Sequence, residues 1–202
     1  MSFPWDVELA HGRIGVRALR RSDAPRWAEL RRQNVSWLNP WDATLPPEGG
    51  RQSTSYRQMV SVLRRRARRA EGMTFASTWD GVMVGQVSVS SIVWGSARSA
   101  SIGYWVAADH AGRGITPTAL ALVCDHLFGA VRLHRVDVAI RPENHPSLAV
   151  VRRLGFTDVG LAPRYLHIAG QWADHRLFQL LADDVTGRVL DRLVAGDQQP
   201  HP

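Results

Sequence analysis

SASIGYWVAADHAGRGITPTALALVCDHL, residues 99–127, decides the fold: an apolar strand, a turn at Gly112-Arg113-Gly114, and a helix opened by Thr116-Pro117. Thr is a good helix N-cap, and Pro suits the first helical turn because its missing N–H would have had no intrahelical partner. Two glycines just ahead of a helix let the chain turn tightly and aim N–H groups outward, where the helix dipole also favours an anion. The turn reads either as a cradle for the phosphates of a cofactor or as a plain strand–helix connection. Neither common phosphate loop matches. A dinucleotide turn needs a third glycine, where Thr116-Pro117 follow instead, and the nucleoside-triphosphate loop needs a Gly-Lys pair in a chain with no lysine.

Outward from that stretch, 202 residues suffice for one sizeable core and require no second domain. The single cysteine, Cys124, excludes an internal disulfide framework and a clustered thiolate zinc site, and no metal is expected. Its place in the apolar run LALVCDHLF marks a buried structural thiol. The N-terminus lacks the basic start of a signal peptide and no apolar run is long enough to span a bilayer, so a cytoplasmic protein with no membrane contact is expected. Net charge is +7, carried entirely by arginine among the non-histidine bases. Such a field attracts nucleic acid, acidic protein or phosphorylated cofactors without choosing between them.

The periodicity predicts a strand over residues 14–19, then a helix capped by Ser22 or Asp23 with Pro25 near its start and Trp27, Leu30 and Val35 on its apolar side. Trp37-Leu38-Asn39-Pro40-Trp41 is expected to break that helix, and residues 46–50 read as loop. Trp37 and Trp41, beside prolines in a non-periodic stretch, are candidates for a cleft wall. A second helix is predicted over residues 54–70, ending in five arginines within six positions, Arg64, Arg65, Arg66, Arg68 and Arg69. These form either a solvated face or a contact for RNA or another acidic partner.

Strands are then expected at residues 73–79, 82–94 and 100–106, with Asp80-Gly81 as a hairpin turn. After the central helix come a strand at 134–140, a helix at 143–154, strands at 159–168 and 175–181 joined by Ala169-Gly170, and a short helix at 183–193. This pattern predicts one α/β domain over residues 1–195, with a mixed, mostly antiparallel sheet flanked by helices and a disordered tail over 196–202.

Several segments in this order resemble the GNAT superfamily of acetyl-coenzyme A-dependent N-acetyltransferases, most closely the RimJ/RimL type that modifies ribosomal-protein alanines. They are Ile102-Gly103-Tyr104-Trp105-Val106, Gly112-Arg113-Gly114-Ile115-Thr116, Arg141-Pro142-Glu143-Asn144-His145-Pro146-Ser147 and Leu154-Gly155-Phe156. Arg164-Tyr165-Leu166-His167, Gly170 and Asp174-His175 complete the likeness. The resemblance implies the GNAT fold, acetyl-coenzyme A as cofactor, and direct transfer of acetyl to a primary amine, such as the N-terminus of a ribosomal protein. It places the coenzyme on Trp105, Val106, Gly112, Arg113, Gly114, Ile115, Thr116, Thr118 and Asn144. The family pattern Gln/Arg-x-x-Gly-x-Gly/Ala falls on residues 111–116, where Ala111 and Thr116 depart from it.

By the same resemblance, Ser147 protonates the departing thiolate, Asn144 contacts the coenzyme arm, and Tyr104 orders the site. Trp37, Trp41, Arg164, Tyr165 and His167 are expected to border the acceptor. Many relatives carry Glu where Ser101 stands, which leaves the base to be chosen among Asp42, Asp109, His110, His134 and a water relay held by Tyr165 or backbone carbonyls. Two other readings compete: acetylation of a small-molecule or antibiotic amine, and a ribosome- or RNA-binding module with a vestigial cofactor site. Either a monomer or a dimer is compatible with these letters.

Overall fold

The computed structural model describes residues 5–46 and 55–196. Eight strands form one sheet in the order β1-β2-β3-β4-β5-β6-β8-β7. They are β1 (Glu8–His11), β2 (Ile14–Ala18), β3 (Met73–Trp79), β4 (Val82–Val93), β5 (Ser99–Val106), β6 (Arg135–Ile140), β7 (Thr157–Ile168) and β8 (Gln171–Leu181). Neighbouring pairs are antiparallel except β5 and β6, whose parallel pairing follows from the crossover through helix α4 (Ile115–Gly129). Helices α1 (Ala24–Gln33), α2 (Val35–Leu38) and α3 (Tyr56–Arg68) precede β3, while α5 (His145–Arg153) and α6 (Asp191–Gly196) lie in the second half.

The two tightest hairpins obey the turn chemistry read from the sequence. Asp80-Gly81 and Ala169-Gly170 each put two consecutive residues in the left-handed region, with φ of 49° and 78°, and of 48° and 88°. That geometry matches the right-handed twist of the strands it joins. Side chains alternate across the sheet, so Val16, Phe75, Val87, Ile102, Val136, Val138 and Phe178 gather on one face beneath α4, α5 and α6. Helix α4 is buried along most of its surface, which is why its sequence is apolar rather than striped. Cys124 is fully buried there, and burial pushes its thiol well above the ordinary range, so it is a core residue as expected. Asp125, on the same helix, accepts hydrogen bonds from the N–H groups of Val189 and Leu190 and ties down the chain end. On the opposite face α1 and α3 pack Leu30 and Val60 against Ala76 and Met83, covering only the first half of the sheet.

Several expectations need correction. Helix α4 starts at Ile115 with Gly114 as its N-cap, because a left-handed Gly114 (φ 73°) turns the chain two residues earlier than Thr116 would. Trp37 does not break the chain into loop: after a kink at Asn34, Val35–Leu38 makes one more helical turn, with Val35 exposed rather than packed. Strand β1 was not anticipated and pairs with β2. The helix expected at 183–193 is a 3₁₀ turn at Ala182–Asp184 followed by α6. The disordered tail, apart from Gly196 in α6, and parts of the expected loop at 46–50 and of the start of the second helix lie outside the described residues.

Candidate active site

Strands β5 and β6 pair only through Ser99, Ala100 and Ser101 against Arg135, Val136 and Asp137. Beyond that point β5 stays on β4 and β6 stays on β8, so the two strands part and open a V. A cleft of about 980 Å³ runs through the V, from the turn before α4 to the loops beyond β6 and β7.

Backbone direction in the V is fixed by register. The N–H of Ala107 bonds the carbonyl of Val84, so alternation along an antiparallel pair turns the N–H and C=O groups of Tyr104 and Val106 away from β4, into the gap. Of the two residues expected to supply strand donors, Val106 does so, whereas the N–H of Trp105 faces β4. The Val106 carbonyl accepts a hydrogen bond of 3.0 Å from the indole N–H of Trp37. Gly85 of β4, opposite Val106, lets those two strands approach closely. A Cβ there would lie 2.4 Å from the Trp105 carbonyl oxygen and 3.1 Å from the Val106 Cα.

The turn before α4 forms one end of the cleft. Gly112 and Gly114 have φ of 74° and 73°, and a Cβ on either would meet nothing within 4 Å, so it would stand in open space beside the turn. Among the described residues the N–H groups of Gly112, Arg113, Gly114, Ile115 and Thr116 have no acceptor. A run of free donors at the start of a fifteen-residue helix can receive an anion. Thr118 does not belong to it: its N–H is taken by the carbonyl of Gly114 at 3.2 Å, and the residue is buried. Arg113 is likewise absent from the cleft lining, while Gly112, Gly114, Ile115, Thr116 and Pro117 form it.

Ser147 sits where α5 meets the cleft, with its backbone held from two sides. Asn144 caps α5 by accepting from the Ser147 N–H at 3.2 Å, and the Tyr104 hydroxyl donates to the Ser147 carbonyl at 3.3 Å. Burial raises the Tyr104 phenol well above its ordinary value, which leaves it a donor and a brace rather than a source of protons. The Ser147 hydroxyl itself has no partner among the described residues and lines the cleft.

The other half of the cleft is walled by Trp37, Trp41, Tyr165, Leu166, His175 and Leu177. Arg31 pairs with Asp42 and lies 5.5 Å from the Trp105 ring centroid. Arg141 stands 5.7 Å from that of Trp41 and donates to the Pro40 carbonyl at 3.0 Å. Of the two tryptophans read as candidates for a cleft wall, Trp41 stacks with Arg141 and Trp37 is held by its hydrogen bond to the Val106 carbonyl, and both line the cleft. Two expected acceptor-side residues are elsewhere. Arg164 is exposed, with its N–H on Asp174, and His167 is buried with Nδ1 2.7 Å from the Thr44 hydroxyl. The strand shift between Ala162 and Leu166 turns Tyr165 and Leu166, not their neighbours, into the cleft.

The base candidates separate in the same way. His134 faces Asp183 on the surface at 3.5 Å, and Asp109 is exposed outside the cleft. Asp42 is held by Arg31. His110 lines the cleft beside the glycine turn, and burial, Arg113 and Arg26 lower its pKa. Asp137, at the point of the V, was not anticipated. It reads from the sequence as an ordinary polar position in an alternating strand, yet it lines the cleft and accepts from Arg135 Nε at 2.7 Å. His175 was quoted as part of a motif without a role, and it too lines the cleft. Among the described residues no cluster of His, Cys, Asp and Glu could hold a metal.

Residues 13–157 match the family model described as an acetyltransferase (GNAT) domain. The fold superposes on Mycobacterium smegmatis RimJ, solved in complex with a CoA-disulfide, with a TM-score of 0.86 and 38% identity, covering 92% of this chain and 90% of that one. The chain is also similar to the [ribosomal protein uS5]-alanine N-acetyltransferase of Escherichia coli, 27% identical across 89% of this chain and 93% of that protein. A shorter match, 35% identical, to the probable N-acetyltransferase YjcK of Bacillus subtilis spans 52% of this chain and 58% of that protein.

Proposed function

The chain belongs to the GNAT acetyltransferase family, and on that premise we propose that it acetylates the N-terminal α-amino group of a protein, as the names of its ribosomal-protein-modifying relatives suggest. Membership makes it an acetyl-coenzyme A-dependent N-acetyltransferase of the RimJ/RimL type. What it modifies is the proposal.

One observation carries it: among the described residues, both carboxylates lining the cleft already have a cation. Asp42 is paired with Arg31 and Asp137 with Arg135. A polycationic small amine, such as an antibiotic, needs unspent carboxylates, whereas a peptide end brings one ammonium and an otherwise neutral backbone suited to aromatic walls. An α-amine also titrates at roughly 7.7–8.0 against about 10.4 for a lysine side chain, so freeing its lone pair costs less.

Acetyl-coenzyme A supplies, when bound, an acyl thioester open to attack. The residues present fit it. Free N–H groups from Gly112 to Thr116 and the uncrowded glycines would hold its diphosphate, and the inward N–H groups of Tyr104 and Val106 would pair with its arm and polarise the carbonyl. In this proposal the Ser147 hydroxyl, fixed by Asn144 and Tyr104, protonates the leaving thiolate; positioning must carry the role, since a serine is a weak acid.

The proposal extends to the surroundings. Arg64, Arg65, Arg66 and Arg68 on α3 have no acidic partner among the described residues, while Arg69 stands 4.0 Å from Glu71. In this proposal the surface faces ribosomal RNA when a ribosomal protein is the acceptor, and the enzyme works in the cytoplasm. Intact-mass detection of acetylation across peptides with different N-termini and a set of small polyamines tests the reading. Acetylated peptides with polyamines untouched support it, and turnover of polyamines alone overturns it.

A further inference from the structure

His175 stands on β8 with its neighbours placed by register: Ala162 of β7 lies across from it, and Arg176 beside it pairs with Ile140 of β6. Strand alternation puts Arg176, Phe178 and Leu180 on the α4 side, or continuing it, and turns His175, Leu177 and Gln179 to the other side with Asp137. The residue is 3% exposed and lines the acceptor half of the cleft. Its Nδ1 lies 3.0 Å from the carbonyl oxygen of Ala173. A carbonyl only accepts, so Nδ1 carries the hydrogen and the neutral ring presents a bare lone pair at Nε2. That nitrogen has no partner among the described residues.

We propose that His175 is the general base of acetyl transfer, taking a proton from the acceptor amine through Nε2. This rests on the amine-acetylating reading above and adds the group it lacks. Among the described residues, the other carboxylates and imidazoles weighed above are engaged or placed elsewhere. Asp42 and Asp137 are bound to arginines, and His110 lies at the phosphate end. In the step, the acceptor ammonium gives one proton to Nε2, and the freed lone pair forms the C–N bond to the acyl carbon. The C–S bond then breaks, the thiolate takes the second amine proton by way of Ser147, and His175 releases its proton to solvent. The products are the amide, the free thiol and one proton.

The surroundings suit a base that is neutral at rest. Burial is the largest influence lowering the His175 pKa below its ordinary value, and Arg141 acts in the same direction. The Ala173 carbonyl, Asp174 beside it on β8 and Glu143 beyond β6 act against it, while the Tyr165 ring of β7 lies 6.0 Å away, centroid to centroid.

The test replaces His175 by Asn, whose amide keeps an N–H for the Ala173 carbonyl and deletes only Nε2. At neutral pH, with a peptide that the wild type acetylates, kcat should fall by about 100-fold or more. Coenzyme affinity should be unchanged, and the deficit should shrink towards pH 9 as the α-amine deprotonates unaided. An unchanged kcat, or a loss of equal size at every pH, overturns the inference. Nitrogen-15 NMR of the wild-type imidazole gives a reading independent of turnover and of how the variant folds. The Nδ1–H tautomer with a pKa below about 6.5 supports the inference, and the Nε2–H tautomer overturns it. A wild type that acetylates no amine breaks the functional reading instead, which separates the two failures.

Discussion

The two halves of the cleft are built in opposite ways. The phosphate end comes from one continuous run, β5 through the glycine turn into α4, and its working groups are backbone N–H donors. The acceptor end is assembled from α2, the end of β6, β7 and β8, and its working groups are side chains brought together across more than a hundred residues of chain. Backbone donors tolerate changes of side chain. That is why Ala111 and Thr116 depart from the family pattern while the free N–H groups remain. Side-chain walls have no such tolerance, and there the choice of residue decides which amine enters.

The largest expected effect breaks the phosphate end. Gly114→Val puts a β-branched residue at φ 73°, with its Cβ in the open space beside the turn. Holding a non-glycine residue there costs about 1–3 kcal/mol, and coenzyme affinity should fall at least 100-fold in calorimetry while acceptor residues stay in place. Next comes Ser147→Ala, which should lower kcat by about 10- to 100-fold with the coenzyme dissociation constant unchanged. Equal loss in both would make Ser147 a binding residue. Trp37→Phe tests the join between the halves: it keeps the aromatic wall but frees the Val106 carbonyl. Losing one hydrogen bond of about 1 kcal/mol corresponds to a several-fold drop in kcat/KM for the acceptor. The smallest effect is Arg164→Ala, a residue outside the cleft, which should leave acceptor kinetics within about twofold, as surface substitutions usually do.

The same contrast explains what could be read in advance. Strands β3, β4 and β5 are rich in β-branched and aromatic residues, and Asp80-Gly81 joins the first two, so their bounds were legible to within a residue. The glycine turn was legible because its chemistry is local. Asp137 and His175 were not legible as site residues. Each occupies an ordinary position in a strand, and its place in the cleft depends on where β5 and β6 part, a matter of long-range register. His167 and Arg164 were misplaced for a related reason. A shift in pairing between Ala162 and Leu166 decides which face of β7 meets the cleft, and no local signal announces it. The N-cap of α4 moved from Thr116 to Gly114 because a left-handed glycine ends the turn sooner than a capping hydroxyl would.

Amide hydrogen exchange of the full chain, with and without coenzyme A, tests most directly whether β5 and the turn before α4 act together as the coenzyme's seat. Slowed exchange at Tyr104, Val106 and from Gly112 to Thr116, with β7 and β8 unchanged, is the expected result. Exchange at those amides that does not respond to the coenzyme, or protection confined to the acceptor end, would contradict it.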